Sequence, residues 1–370
     1  MKVLFGVQGT GNGHISRARA MAPALREQDI EVDFLFSGRP ADRYFDMDIF
    51  GNYDLRTGLS FVVKNGCIDY WQTMRQAKLL SFWREVNKLD LSAYDLVLTD
   101  FEPVTAWAAK RAGKPSIGIS RQYAFHYDIP KVKSTVGDLI FSRYAPATVE
   151  LGCHWHHFGQ PLLPPIVEKS PYDIEPDSQM ILVYLPFENL QALINKLKQL
   201  PAYRFEVYHP EALSNQTQDN VHIYKPGRKE FQRAMARCGG VIGNAGFELA
   251  SEALQTGAPL LVKPLHGQVE QLSNVMNLKL LGLAESMDDI DLGIMSKWLQ
   301  NRHPKQVIYP DVASEVASWI ARHGSKSSQD NLEELSAGLW KKVEPIIADN
   351  SLLCDNQPPV PAVHLQTQHG

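Results

Sequence analysis

Apolar residues in this chain gather in short runs separated by polar breaks. The first run, Val3-Leu4-Phe5-Gly6-Val7, is continuous, as in a strand covered on both faces. Over residues 16–28 the spacing changes to a helical period, and over 30–37 β-branched and aromatic residues return, giving a strand–helix–strand opening. The pattern is less regular over 53–67 and helical again over 71–86. It then predicts a strand over 96–99, a helix over 104–112 and a strand over 116–120. A second series begins with a strand over 180–186, passes through a helix over 190–199 and returns to a strand over 204–208. Strands alternating with helices predict parallel sheets with right-handed crossovers, whose ligands gather at the carboxyl ends of the strands.

Between the two series lies Phe158-Gly159-Gln160-Pro161-Leu162-Leu163-Pro164-Pro165, followed by a polar, proline-bearing stretch to Asp177. Such breakers mark a domain junction. The expected organisation is an N-terminal Rossmann-like domain over 1–160, a linker over 161–178, a second Rossmann-like domain over 179–325 and a C-terminal helix over 326–348. Residues 349–370 mix Pro, Gln, Asn and His without apolar periodicity and read as a disordered tail.

Composition narrows the class. A chain of 370 residues suits two α/β cores of roughly 150 residues each plus extras. No apolar run reaches the roughly 18 residues that cross a bilayer, and Gln8 ends the first run too early for a signal peptide, so a soluble protein is expected. Cys67, Cys153, Cys238 and Cys354 lie far apart, which points away from a disulfide framework or zinc knuckle and toward the cytoplasm. A net charge of -4 argues against a nucleic-acid partner.

Three motifs carry candidate chemistry. Gly9-Thr10-Gly11-Asn12-Gly13-His14 follows the first strand and opens a helix, where glycines admit a close ligand and the helix N-terminus favours anions. A dinucleotide fingerprint would need glycine where His14 stands, and Asp33 lies inside the second strand instead of at its end. His14 suits removal of a hydroxyl proton, against the alternative of a capping or packed histidine. Asp100, closing Asp95-Leu96-Val97-Leu98-Thr99-Asp100, can orient His14 or, alternatively, cap the helix near Pro103. The third motif is Val241-Ile242-Gly243-Asn244-Ala245-Gly246-Phe247-Glu248-Leu249-Ala250-Ser251-Glu252, a strand entering a small-residue turn and a helix. Its turn can cradle phosphate, and Glu252 can accept from ribose hydroxyls or lie on a solvated face. Glu270, Gln271 and Asn274 open a further helix.

This ordered set resembles the MurG-like and UDP-glycosyltransferase-like families of the GT-B fold, in which two Rossmann-like domains face each other across a cleft. The resemblance runs from residue 1 to about 345 and is weak between Gly38 and Leu89. It implies a cytoplasmic hexosyltransferase-type enzyme that inverts the anomeric centre without a metal or other cofactor, the nucleotide-sugar being a substrate. His14 would be the base and Asp100 its partner. Gly11 and Gly13 would belong to the N-terminal donor loop, Asn244, Ala245 and Gly246 would hold the diphosphate, Glu252 the ribose, Glu270 and Gln271 the sugar. Arg228, in Lys225-Pro226-Gly227-Arg228, falls where the family recognises the base. The acceptor would be a glycan, a lipid-linked sugar or a small molecule, with peripheral contact at the inner membrane face left open.

Asn244 stands where many plant-type members carry histidine, Glu270 replaces aspartate, and the loop before Glu270 is longer, so the donor sugar is not fixed. A UDP-sugar 2-epimerase and a non-catalytic nucleotide-sugar-binding protein share the architecture and remain the alternatives. His154, His156 and His157 read as a loop or strand cluster more than a metal site, and His266 as a loop residue. Arg17 and Arg19 read as solvated helix-face residues.

Overall fold

The computed structural model describes residues 1–59, 63–64, 67–68 and 79–345. The expected helix over 71–86 is thus seen from Leu79 onward, and its first part, the tail over 349–370 and Cys354 lie outside the described residues.

The first domain is built on β1 (Lys2–Gln8), β2 (Glu31–Ser37), β3 (Tyr53–Arg56), β4 (Leu96–Asp100), β5 (Ser116–Ser120) and β6 (Val149–Gly152). They form one parallel sheet in the order β3-β2-β1-β4-β5-β6. Val3, Phe5 and Val7 are fully buried in the central strand. Strand order reverses at β1, so the segments leaving β1 and β4 diverge and open a crevice above the pair Val7 and Asp100.

Helix α1 (Asn12–Glu27) leaves β1 and buries Ile15, Ala18, Met21, Ala22 and Leu25 at helical spacing. Helices α2 (Leu79–Lys88), α3 (Pro103–Ala112) and α4 (Thr135–Arg143) complete the domain. Proline at its first position and Gly113 at φ 64° just past its end fix the bounds of α3.

The second domain carries β7 (Met180–Tyr184), β8 (Arg204–Tyr208), β9 (Gln216–Gln218), β10 (Val221–Tyr224), β11 (Val241–Asn244), β12 (Leu260–Lys263) and β13 (Glu285–Ser286). Their order is β9-β10-β8-β7-β11-β12-β13, parallel except for β9 against β10. Its helices are α5 (Leu190–Leu197), α6 (Arg228–Arg237), α7 (Phe247–Thr256), α8 (Val269–Leu280) and α9 (Leu292–Asn301). The switch point here lies at β7, beside β11.

The two switch points face each other. Trp155, fully buried, donates to Ser251 Oγ at 2.9 Å and packs its ring 4.7 Å from Phe247. The last helices, α10 (Val312–His323) and α11 (Gln329–Trp340), leave the second domain: α10 packs along α1, while Ser336 Oγ and Trp340 Nε1 donate to the Leu162 carbonyl at 2.6 and 2.7 Å.

Candidate functional site

His14 sits in the first turn of α1 with its side chain 14% exposed, and its Nδ1 lies 2.7 Å from Asp100 Oδ1. Asp100 ends β4 and is fully buried. The next residue, Phe101, has a φ of 51°, a left-handed backbone that a bulky residue rarely adopts and that turns the chain sharply after the carboxylate. The two residues named from sequence as a dyad therefore meet. Asp100 caps nothing: the cap of α3 is Glu102, whose carboxylate accepts from Val104 N at 2.9 Å and Thr105 N at 2.7 Å and from the Ser37 hydroxyl at 2.6 Å.

Arg17 departs from the sequence reading. It is 1% exposed, because three residues after His14 places it on the same inward face of α1. Its Nε donates to Asp100 Oδ2 and its Nη2 to Asp100 Oδ1, both at 2.8 Å, and its Nη1 pairs with Glu248 from the second domain. Burial alone would push the Asp100 carboxyl up, but Arg17 and His14 beside it hold it below its ordinary value. Arg19 is likewise buried, 6% exposed, donating to the carbonyls of Phe45 at 2.8 Å and Asp46 at 3.0 Å. Neither arginine is a solvated surface residue.

Across the crevice, Asn244 ends β11, Ala245 follows it, and Gly246 precedes α7 with open space where a Cβ would stand. Ala245 N donates to the Lys263 carbonyl at 3.1 Å, and Asn244 Nδ2 donates to the same oxygen at 3.1 Å, so both hold the turn's shape. Gly11 precedes α1 in open space, whereas a Cβ at Gly13 would run into the Glu248 carboxylate. Glu252 faces the cleft and accepts from Ser16 Oγ at 3.0 Å. Burial pushes its carboxyl up to about 7.

Glu270, in the first turn of α8, accepts from Gln122 Nε2 at 2.9 Å. Gln271 turns away to its own loop, its Oε1 accepting from Leu265 N at 2.9 Å. Arg228 pairs with Glu168 of the interdomain connector at the far end of the cleft. There Pro226, Gly227 and Arg228 meet the rings of Tyr184, Tyr208 and Phe231. Asn12 Nδ2 closes the crevice with a 2.9 Å bond to Tyr184 Oη. The resulting cavity, of about 120 Å³, runs from these rings past Glu252 to Glu248 and Gly13.

Among the described residues no group of three or more His, Cys, Asp or Glu is placed to hold a metal. His154 and His157 use Nδ1 to accept backbone N–H groups two residues on, and His266 lies 3.3 Å from Asp289 at the surface. A more open depression of about 460 Å³, lined by Phe125, Lys131, Asp138 and Phe141 among others, shares no lining residue with the cleft. The residues that sequence reasoning passed over, Arg17 and Glu248, each carried a positional signal: one helical turn after His14, and two residues after Gly246.

Two Rossmann-like domains with facing switch points and a cleft between them define the GT-B architecture. The chain belongs to Glycosyl transferase family 1, whose model matches residues 1–144 and 156–302, and it is a glycosyltransferase. The glycotransferase of kitacinnamycin is similar in fold, with a TM-score of 0.57 at 13% identity, over 93% of this chain and 99% of that one. LpCGTa in complex with UDP gives a TM-score of 0.54 at 15% identity, over 91% and 98%. The Streptomyces sp. SF2575 glycosyltransferase SsfS6, complexed with thymidine diphosphate, gives 0.53 at 14%, over 92% and 96%. No curated protein gives a significant match.

Proposed function

We propose that this enzyme moves a sugar from a pyrimidine nucleoside diphosphate donor, a UDP-sugar first among them, to an acceptor hydroxyl with inversion and without a metal. The observation that carries the reading is the 2.7 Å contact between His14 and Asp100 at the switch point, beside a cavity that Gly13 lines from the first domain and Glu248 and Glu252 of α7 line from the second. Nδ1–H of His14 donates to Asp100, which fixes the tautomer and leaves Nε2 as the base. Nε2 takes the proton of the acceptor hydroxyl while its oxygen attacks the anomeric carbon. The bond from that carbon to the diphosphate breaks, and the nucleoside diphosphate leaves with the electron pair from the opposite face. The free N–H groups of the α7 N-terminus favour that developing charge. Glu252 would hold the ribose, and the rings of Tyr184, Tyr208 and Phe231 the base.

Among similar folds, one is complexed with UDP and another with thymidine diphosphate, which supports a pyrimidine nucleotide without choosing between the two. The acceptor is a glycan, lipid-linked sugar or small molecule. The test is a thermal-shift screen of UDP, thymidine diphosphate, GDP and their sugar derivatives against wild type and Glu252→Ala. Stabilisation by one nucleotide family, lost in the variant, is the expected result; no shift with any nucleotide refutes the donor site.

A further inference from the structure

Strand β5 ends, like β1 and β4, at the crevice, and no step of the proposed transfer uses a residue there. The residue after it, Arg121, is 1% exposed. Its Nε donates to Asn274 Oδ1 at 3.1 Å, and Asn274 Nδ2 donates to the Ala245 carbonyl at 3.0 Å. Its guanidinium lies 4.4 Å from the ring of Phe125 and 5.7 Å from that of Phe247, the first residue of α7. Arg121 thus belongs to the first domain yet stands one side chain away from the Asn244-Ala245-Gly246 turn of the second.

Nη1 and Nη2 of Arg121 are buried and have no hydrogen-bond partner. The contrast with Arg17 is direct, since that equally buried guanidinium reaches Asp100 twice and Glu248 once. The carboxylates whose field Arg121 feels are engaged elsewhere, Glu270 by Gln122 and Glu248 by Arg17. Burial pushes the Arg121 guanidinium down to about 10, which leaves it charged at neutral pH. Nearby His154, kept neutral by burial and by Arg121, accepts a backbone N–H at Nδ1 and so carries its proton on a buried Nε2 that also has no partner. Buried donors are almost always satisfied, and a buried cation without an anion destabilises the fold that holds it. A group kept in that condition beside an anion cradle is one that a ligand completes.

Building on the nucleotide-donor reading, we propose that Arg121 is the counter-charge of the donor's distal phosphate, delivered to the cradle by the opposite domain. The base-binding rings lie at the Arg228 end of the cavity, and Arg121 lies beyond the first residue of α7, toward Glu270. It therefore meets the phosphate farther from the nucleoside, the one whose oxygen takes up charge as the sugar leaves. A monophosphate does not extend that far.

The experiment measures binding of a nucleoside diphosphate and its matching monophosphate, across the uridine, thymidine and guanosine series, to wild type, Arg121→Met and Arg121→Lys. Arg121→Met is expected to bind the diphosphate roughly tenfold to a hundredfold more weakly and the monophosphate as before. Its melting temperature without ligand should hold or rise, because an apolar side chain of similar shape replaces a half-satisfied cation. Arg121→Lys, which keeps the charge but not the fork, should lose the diphosphate less. A lower melting temperature with equal loss of both nucleotides would make Arg121 a structural pin and overturn the proposal. Should Arg121→Met not fold, an unchanged diphosphate-to-monophosphate ratio in Arg121→Lys overturns it equally. Wild type that binds no nucleotide sinks the donor reading itself, whereas wild type that binds with the same ratio in every variant sinks only this one.

Discussion

Replacing Arg17 by methionine would leave the fully buried Asp100 carboxylate with His14 as its remaining partner and would free Glu248 from its pair. Removing one side of a buried ion pair typically costs about 3–5 kcal/mol, so Arg17→Met should show a loss of that order in urea unfolding, with transfer impaired alongside. His14→Ala should behave differently: transfer falls roughly 10²- to 10⁴-fold while nucleotide-induced stabilisation persists, because the imidazole acts on the acceptor side. Titration separates two carboxyls. Asp100 is held low when folded, so its contribution is present above its unfolded value near 3.8 and is lost as pH falls through the lower folded value. Glu252 has the opposite sign. Its folded value of about 7 exceeds 4.5, so the stability it contributes is complete below pH 4.5 and lost as pH rises through about 7. Glu252→Gln should flatten the decline in melting temperature across that window.

Among the elements, α3 shows both what the chain spells out and what it withholds. Pro103 and Gly113 bracket the helix visibly, and the strand ending at Asp100 is a plain apolar run. Which of Asp100 and Glu102 caps the helix was not legible, since both are carboxylates at capping distance. The choice is made by the left-handed turn at Phe101, which sends Asp100 to His14 and Glu102 back onto the helix. Glu102→Ala should cost roughly 2–4 kcal/mol in thermal or urea unfolding, from the lost cap and the carboxylate acceptor taken from the buried Ser37 and Thr105 hydroxyls. The α7 turn was legible as the small-residue entry to a helix N-terminus, but not that Ala245 N and Gly246 N are spent on the Lys263 and Asn244 carbonyls, which leaves the first N–H groups of α7 itself for an anion. Arg17 was not legible, because one helix in isolation does not reveal which face another domain will cover. Gln271 shows the same limit, its side chain being claimed by a loop six residues earlier in the chain.

At the scale of the whole molecule, the cavity of about 120 Å³ is smaller than the roughly 300 Å³ or more that small-molecule sites usually provide. A donor must therefore part the domains to enter, breaking bonds such as Ser16 to Glu252 and Asn12 to Tyr184. Ser16→Ala should raise the nucleotide association rate in stopped-flow measurements, and an unchanged rate would mean that this bond does not gate entry. How the parting proceeds is constrained by the path of the backbone. The polypeptide passes between domains once before β7 and again before α10, and α11 is then fastened to the Leu162 carbonyl beside the first passage. Two passages define a line, as two pins define the axis of a door. Rotation about that line would spare both passages at the cost of cross-cleft bonds such as Arg17 to Glu248 and Gln122 to Glu270, while torsion across it would also stretch both strands of chain. The halves are thus built to swing without swivelling, so His14 and the α7 turn return to the same registration each time the door shuts.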